Sequence, residues 1–212
     1  MKIIAINGSP RKGWNTHLLL ESALEGARSA GAETEIINLY DMSFKGCVSC
    51  FACKRRGVTV DKCAFRDELT PVLEAVHNCD GLVLGTPIYL SSETGMMRSF
   101  MERLIFPYLS YDGAPTSFGR EIRNAYIYTM NAPLEAAENM YRPRFDGNKA
   151  MLERIIGPSE VLVSAETLQF ANYDDYAASR ANAQARIERR ETVFPLEIKK
   201  VFELGEWIVS GK

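Results

Sequence analysis

Four of the five cysteines in this chain, Cys47, Cys50, Cys53 and Cys63, fall in one short stretch. The first three are separated by two intervening residues each, so one curled loop can turn three thiolates toward a common point, and Cys63 closes the set after nine intervening residues. Zinc sites more often take their ligands as two separated pairs, so this spacing favours a cubane [4Fe-4S] cluster over zinc. A reduced, redox-active thiol set is the alternative reading. A chain of 212 residues can fold on a hydrophobic core without a disulfide staple. Lys54, Arg55, Arg56 and Lys62 surround the cysteines, where they would offset an anionic cluster, lower thiol pKa values, or stand as solvated charges. Cys79 lies apart from the set and reads as a small core hydrophobe.

A second stretch has the chemistry of an anion site. Gly8-Ser9-Pro10-Arg11-Lys12-Gly13-Trp14-Asn15-Thr16 joins an apolar run to a helical pattern, the place where strand ends and a helix N-terminus bind anions. Backbone N–H groups, the hydroxyls of Ser9 and Thr16, the Asn15 amide and the Arg11 guanidinium can converge there on one phosphate. The loop lacks both the Gly-Lys-Ser/Thr ending of a nucleoside triphosphate loop and the G-x-G-x-x-G of a dinucleotide loop. A terminal monophosphate fits better than either. A hydroxyl-rich helix cap with two solvated cations, Arg11 and Lys12, is the plain alternative.

A third stretch, Thr86-Pro87-Ile88-Tyr89, ends another apolar run. A proline and an apolar-aromatic pair at a strand tip form a flat wall with free backbone N–H groups, which suits a planar heteroaromatic ring. The alternative is a turn whose Ile88 and Tyr89 pack under the next helix. His17 reads as a helix-face residue near the anion loop, and His77 as a helix-end residue complementing the dipole. No Ser-His-Asp set or paired carboxylates are present, so hydrolysis has no support.

These loops need a scaffold, and the alternation of the chain supplies one. Short apolar runs at 2–7, 34–39, 81–85, 125–130 and 161–165 read as buried strands, and helical periodicity covers 15–30, 67–78, 93–106 and 149–156. This alternation predicts an α/β three-layer sandwich, a five-stranded parallel sheet with helices on both faces. The tail is helical in pattern, polar at 181–191, with an apolar set at Ile198, Val201, Phe202, Ile208 and Val209 that is expected to cover a sheet edge or a partner subunit. The expected organisation is a domain over 1–170 and a helical extension of it over 171–212. Lys and Arg total 25 against 27 Asp and Glu, a formal charge of −2, which offers no footprint for nucleic acid or an anionic membrane. No apolar run is long enough for a signal segment or a membrane span, so a cytoplasmic location is expected.

Gly8-Ser9-Pro10-Arg11 with Asn15-Thr16, followed by Thr86-Pro87-Ile88-Tyr89 with Thr94-Gly95, resembles the NADPH-dependent FMN reductase and iron–sulfur flavoprotein branch of the flavodoxin-like superfamily. The resemblance runs over roughly residues 1–170 and implies strand order 2-1-3-4-5. It implies FMN, with phosphate on Ser9, Arg11, Asn15 and Thr16, beside Lys12, and ring on Thr86, Pro87, Ile88 and Tyr89. Trp14 stands where a small residue is usual; it lines the flavin edge or shields the phosphate. A third flavin contact carries over to Asn131, in Met130-Asn131-Ala132-Pro133, where the family often has a glycine-rich loop. The relatives' compact cysteine motif in the same loop has a shorter final spacer than this one. The implied activity is transfer of electrons from NAD(P)H through FMN to a small-molecule or protein acceptor, by a homodimer or homotetramer. The cations around the cysteines could attract the 2′-phosphate of NADPH. The alternative is an iron–sulfur electron carrier fed by a ferredoxin-like partner; a thiol or metal sensor on the same scaffold would hold no flavin.

Overall fold

A computed structural model describes residues 1–57, 62–111, 118–178 and 182–211. Strands β1 (Lys2–Asn7), β2 (Glu33–Asn38), β3 (Gly81–Tyr89), β5 (Arg123–Thr129) and β6 (Ser159–Ser164) pair in parallel in the order β2-β1-β3-β5-β6. The sixth strand, β4 (Ser92–Glu93), is a two-residue return that pairs antiparallel with Ile88 and Tyr89. With that hairpin set aside, the five parallel strands keep the 2-1-3-4-5 order of a flavodoxin-like sheet.

Side chains alternate across the sheet, and both faces are dry. Ile3 and Ala5 of β1, with Val83, Ala125 and Ile127, pack under α1 (Asn15–Ser29). Ile4 and Ile6, with Leu82, Leu84, Tyr126 and Tyr128, pack under residues of α2 (Thr70–Asn78) and α3 (Gly95–Ile105). This two-sided burial explains why the strands read as continuous apolar runs. A short α4 (Leu134–Ala136) passes through a π-helical turn into α5 (Arg142–Ile155), which completes the second layer. Helix α5 starts earlier than the 149–156 pattern suggested, with Pro143 in its first turn, where its missing N–H is harmless.

The tail departs from expectation. After α6 (Ala183–Thr192), α7 (Phe194–Ser210) lies beside α1 on a face of the sheet, burying Phe194, Val201 and Ile208 there rather than over a sheet edge. Two glycines allow the approach. A Cβ on Gly26 would strike the Phe202 carbonyl, and one on Gly205 would strike the Ala23 carbonyl, so the α1 and α7 backbones touch where side chains are absent. Residue 181 of the expected polar stretch lies outside the described residues. Helix α2 also begins three residues late: Asp67 accepts from the Leu69 N–H at 3.1 Å and its own N–H donates to Thr70 Oγ1 at 3.1 Å, a turn that delays the helix. Helix α3 begins at Gly95 because Glu93 belongs to β4 and Thr94 is the N-cap, accepting from the Met97 N–H at 3.3 Å.

Candidate functional site

A cleft of about 690 Å³ opens beyond the carboxyl ends of β1, β3 and β5, where the strand order reverses and doubly wound sheets take their ligands. It is lined by Ser9, Arg11, Trp14, Asn15 and Thr16 after β1, by Pro87, Ile88 and Tyr89 at the end of β3, and by Thr129 at the end of β5 with Met130 and Asn131 after it. Thr167, Leu168, Gln169 and Phe170 after β6 close one side. Thus nine residues singled out from the sequence share one cavity. Lys12 and Thr86 are not in its lining.

The anion corner is built from backbone and neutral groups around one guanidinium. The Ser9 N–H donates to Asn7 Oδ1 at 3.0 Å, and the Arg11 N–H to Ser9 Oγ at 3.2 Å, which curls the loop. Thr16 and Thr129 hydroxyls meet at 2.7 Å. Helix α1 begins at Asn15 with no side-chain cap from Trp14 and no acidic residue in its first turn, leaving its positive end open to the cleft. The Arg11 guanidinium lies 3.5 Å from the Trp14 ring centroid and donates to the Gln169 carbonyl at 2.6 Å. Asn15 Nδ2 donates to the Leu168 carbonyl at 2.8 Å. Lys12 turns the other way, to Asp41 at 2.6 Å on the surface. His17 faces Asn7 at 3.4 Å and Glu21 at 3.6 Å, outside the cleft lining.

The ring wall is a strained hairpin. Leu90 and Ser91 both have positive φ, 48° and 65°, and Leu90 is fully exposed. Thr86 holds the hairpin from behind: its hydroxyl accepts from the Thr94 N–H at 3.2 Å, and Thr94 donates in turn to the Gly8 carbonyl at 2.7 Å, tying the two loops together. Buried Glu93 anchors the return strand, accepting from Asn148 and from Ser92 at 3.0 Å and facing Arg144 at 3.5 Å. Burial, with Tyr40 nearby, pushes the Tyr89 phenol up, so it is neutral at physiological pH. Asn131 is held through its carbonyl ends: Arg186 donates to its Oδ1 at 3.1 Å and to its main-chain oxygen at 3.0 Å while pairing with Glu166 at 2.9 Å.

The cysteines lie elsewhere. Cys47, Cys50, Cys53 and Cys63 are free thiols that border a separate small pocket, with Phe51, Phe65, Phe106 and Arg103. Among the described residues, no three His, Cys, Asp or Glu side chains converge closely enough to hold a metal ion. Residues 58–61 of the final spacer lie outside the described residues. The Lys54 Nζ is spent on main-chain oxygens, donating to the carbonyls of Phe106, Pro107 and Leu109 at 2.6, 2.9 and 2.5 Å and capping the turn after α3. The basic group at the cysteine cavity is instead Arg103, fully buried, paired with Asp67 at 2.5 Å and donating to the Phe65 carbonyl at 2.7 Å. Burial pushes the Cys53 thiol up against the pull of Lys54. Burial also pushes Cys79 up to about 11, consistent with a core residue. His77 bonds the Tyr108 hydroxyl at 2.9 Å, and Arg120 donates to the His77 and Cys79 carbonyls, so the arginine caps the end of α2.

Residues 1–133, which carry the first two loops of the cleft and the Asn131 turn, match the family profile of NADPH-dependent FMN reductases. The chain belongs to that family. It is 34% identical over 124 residues to an iron-sulfur flavoprotein of Methanocaldococcus jannaschii, covering 58% of each chain. It is 40% identical over 103 residues to an iron-sulfur flavoprotein of Archaeoglobus fulgidus, covering 49% of this chain and 48% of the other. The chain therefore spans about half the length of the curated relatives it matches. Among solved structures, an NAD(P)H:quinone oxidoreductase from Methanothermobacter marburgensis superposes with a TM-score of 0.70 at 14% identity, over 97% of this chain and 98% of that one. An FMN-dependent NADH-azoreductase from Bacillus anthracis, in complex with FMN, superposes with a TM-score of 0.69 at 13% identity, over 99% and 100%. At these identities the likeness shows the flavodoxin-like fold. Among the described residues no helix is long and apolar enough to cross a membrane.

Thr129, Met130 and residues 167–170 were not singled out from the sequence. Their signal was position alone, since each stretch follows a buried strand on the carboxyl edge of the sheet.

Proposed function

We propose that the cleft holds FMN and that the protein is an NAD(P)H-dependent FMN oxidoreductase. The observation that carries this reading is the convergence, in one cleft of a family member, of an open helix start with Ser9, Arg11, Asn15 and Thr16 at one end and the Pro87-Ile88-Tyr89 wall at the other. The donor set suits a phosphate monoester: two hydroxyls, an amide, a guanidinium with no carboxylate partner among the described residues, and first-turn N–H groups. The wall and Phe170 suit the flavin ring, and the free amide of Asn131 is the donor left for its polar edge. When bound, FMN accepts hydride from NAD(P)H and passes the electrons to a small-molecule or protein acceptor. The chain's own part is placement and exclusion of water. Of the groups lining the cleft, Tyr89 has its phenol pushed up by burial and stays neutral, so it does not serve as a general base.

One observation favours a second reading, an iron–sulfur electron carrier fed by a ferredoxin-like protein. Cys47, Cys50, Cys53 and Cys63 border a shared space rather than meeting at a point. Four thiolates around a volume suit a [4Fe-4S] cluster better than a single ion. Anaerobic purification followed by an absorption spectrum and iron and sulfide assays separates the readings. Flavin without iron, with rapid NAD(P)H oxidation, supports the reductase; flavin with iron and sulfide and little nicotinamide turnover supports the carrier. Colourless protein that FMN cannot reconstitute defeats both.

A further inference from the structure

Arg190 lies on α6, 175 positions from Asn15, yet its Nη1 donates to Asn15 Oδ1 at 2.9 Å. Asn15 is the first residue of α1, and its Nδ2 is held by the Leu168 carbonyl at 2.8 Å, so its carboxamide is fixed from both sides. The Arg190 guanidinium is half-buried on the Phe194 ring, 4.0 Å from the centroid. Its neighbours on the same helix have carboxylates, Arg186 with Glu166 at 2.9 Å and Arg189 with Glu197 at 2.5 Å. Among the described residues no carboxylate pairs with Arg190. Arg11, in the loop that leads into Asn15, is in the same state, its side chain donating to the Gln169 carbonyl.

Two guanidiniums therefore flank the uncapped start of α1 with neutral oxygens as their acceptors. A partly desolvated cation without a counter-ion is costly, and burial lowers the Arg190 pKa accordingly. A guanidinium carries five N–H donors, and among the described residues the bond to Asn15 engages one of those on Arg190. A dianionic group at the start of α1 would answer both needs.

We propose that Arg190 is a positioning and selectivity residue for the phosphate end of FMN, holding Asn15 at the start of α1 and adding a second positive charge there. The inference rests on the FMN reading of the cleft and extends it to the C-terminal segment, beyond the residues that match the family profile. It adds that segment to the parts of the chain that help distinguish phosphorylated from unphosphorylated flavin.

The test is titration of full-length apoprotein with FMN and with riboflavin, followed by quenching of flavin fluorescence. Wild-type protein is expected to bind FMN more tightly than riboflavin. Arg190→Ala should weaken FMN by about tenfold or more, as for loss of a hydrogen bond to a charged group, while riboflavin changes by less than about twofold. Arg190→Lys, which keeps stem and charge, should recover most of the preference. An unchanged preference in Arg190→Ala overturns the proposal, and so does an equal loss for both flavins, since the residue would then act only on architecture. Wild-type protein that binds neither flavin overturns the FMN reading, and this inference with it, before any variant is read.

Discussion

At the residue scale, neighbouring cations in one loop have opposite fates. Arg11 folds over Trp14 into the cleft, whereas Lys12 reaches Asp41 outside it. Arg11→Ala is expected to weaken FMN binding by about 1.5 to 3 kcal/mol, the range for hydrogen bonds to charged groups, in a fluorescence titration. Lys12→Ala is expected to change it by less than about 1 kcal/mol, because an exposed ion pair contributes little. A larger loss for Lys12 than for Arg11 would reverse their assignment. The spacing of the loop made both residues candidates but could not say which turns inward, since that depends on Asp41 and Gln169, far away in sequence. For the same reason Arg103 and Arg190 escaped notice: each is recruited by tertiary packing, and each stands in an unremarkable helical pattern.

At the element scale, the cysteine loop is fastened to the sheet layers by two cationic ties, Lys54 on the carbonyls after α3 and Arg103 on Asp67. Asp67→Ala would leave a buried guanidinium without its partner and should cost about 3 to 5 kcal/mol in urea unfolding. Burial pushes the Asp67 carboxyl up, but the Arg103 guanidinium and the N–H groups of Lys45 and Leu69 outweigh it and hold the pKa below the ordinary value. A depressed folded pKa gives stability that is present above the unfolded value and lost as pH falls through the folded one. The stability gap between wild type and Asp67→Asn should therefore be steady above about pH 5 and close as pH falls below about 4. A gap that widens in acid would contradict the pairing. The contact of α7 on α1 makes a further forecast. Gly205→Ala should destabilise by about 1 to 3 kcal/mol in thermal melts, because a methyl group would meet the Ala23 carbonyl.

At the scale of the whole molecule, the alternation of buried strands and helices was enough to anticipate the parallel sheet, because strands dry on both faces leave continuous apolar runs, while the strand order came from the family resemblance. The tail was less legible. Its apolar set at Val201 and Ile208 declared a buried face, but only the paired glycines at 26 and 205 explain why that face lies on α1. The flavin cleft and the cysteine cavity share no lining residue, so they should fail separately. Cys50→Ser is expected to abolish any bound iron while leaving flavin affinity unchanged; joint loss would show that the two sites are coupled. The central claim is that this cleft binds FMN and delivers electrons to it from a nicotinamide. Its most direct test is anaerobic addition of NADPH or NADH to the FMN-reconstituted protein while the flavin absorbance is followed. The expected result is one FMN bound per chain and bleaching of its visible bands by at least one nicotinamide; flavin that does not bind, or that binds and stays oxidised with both, would contradict it.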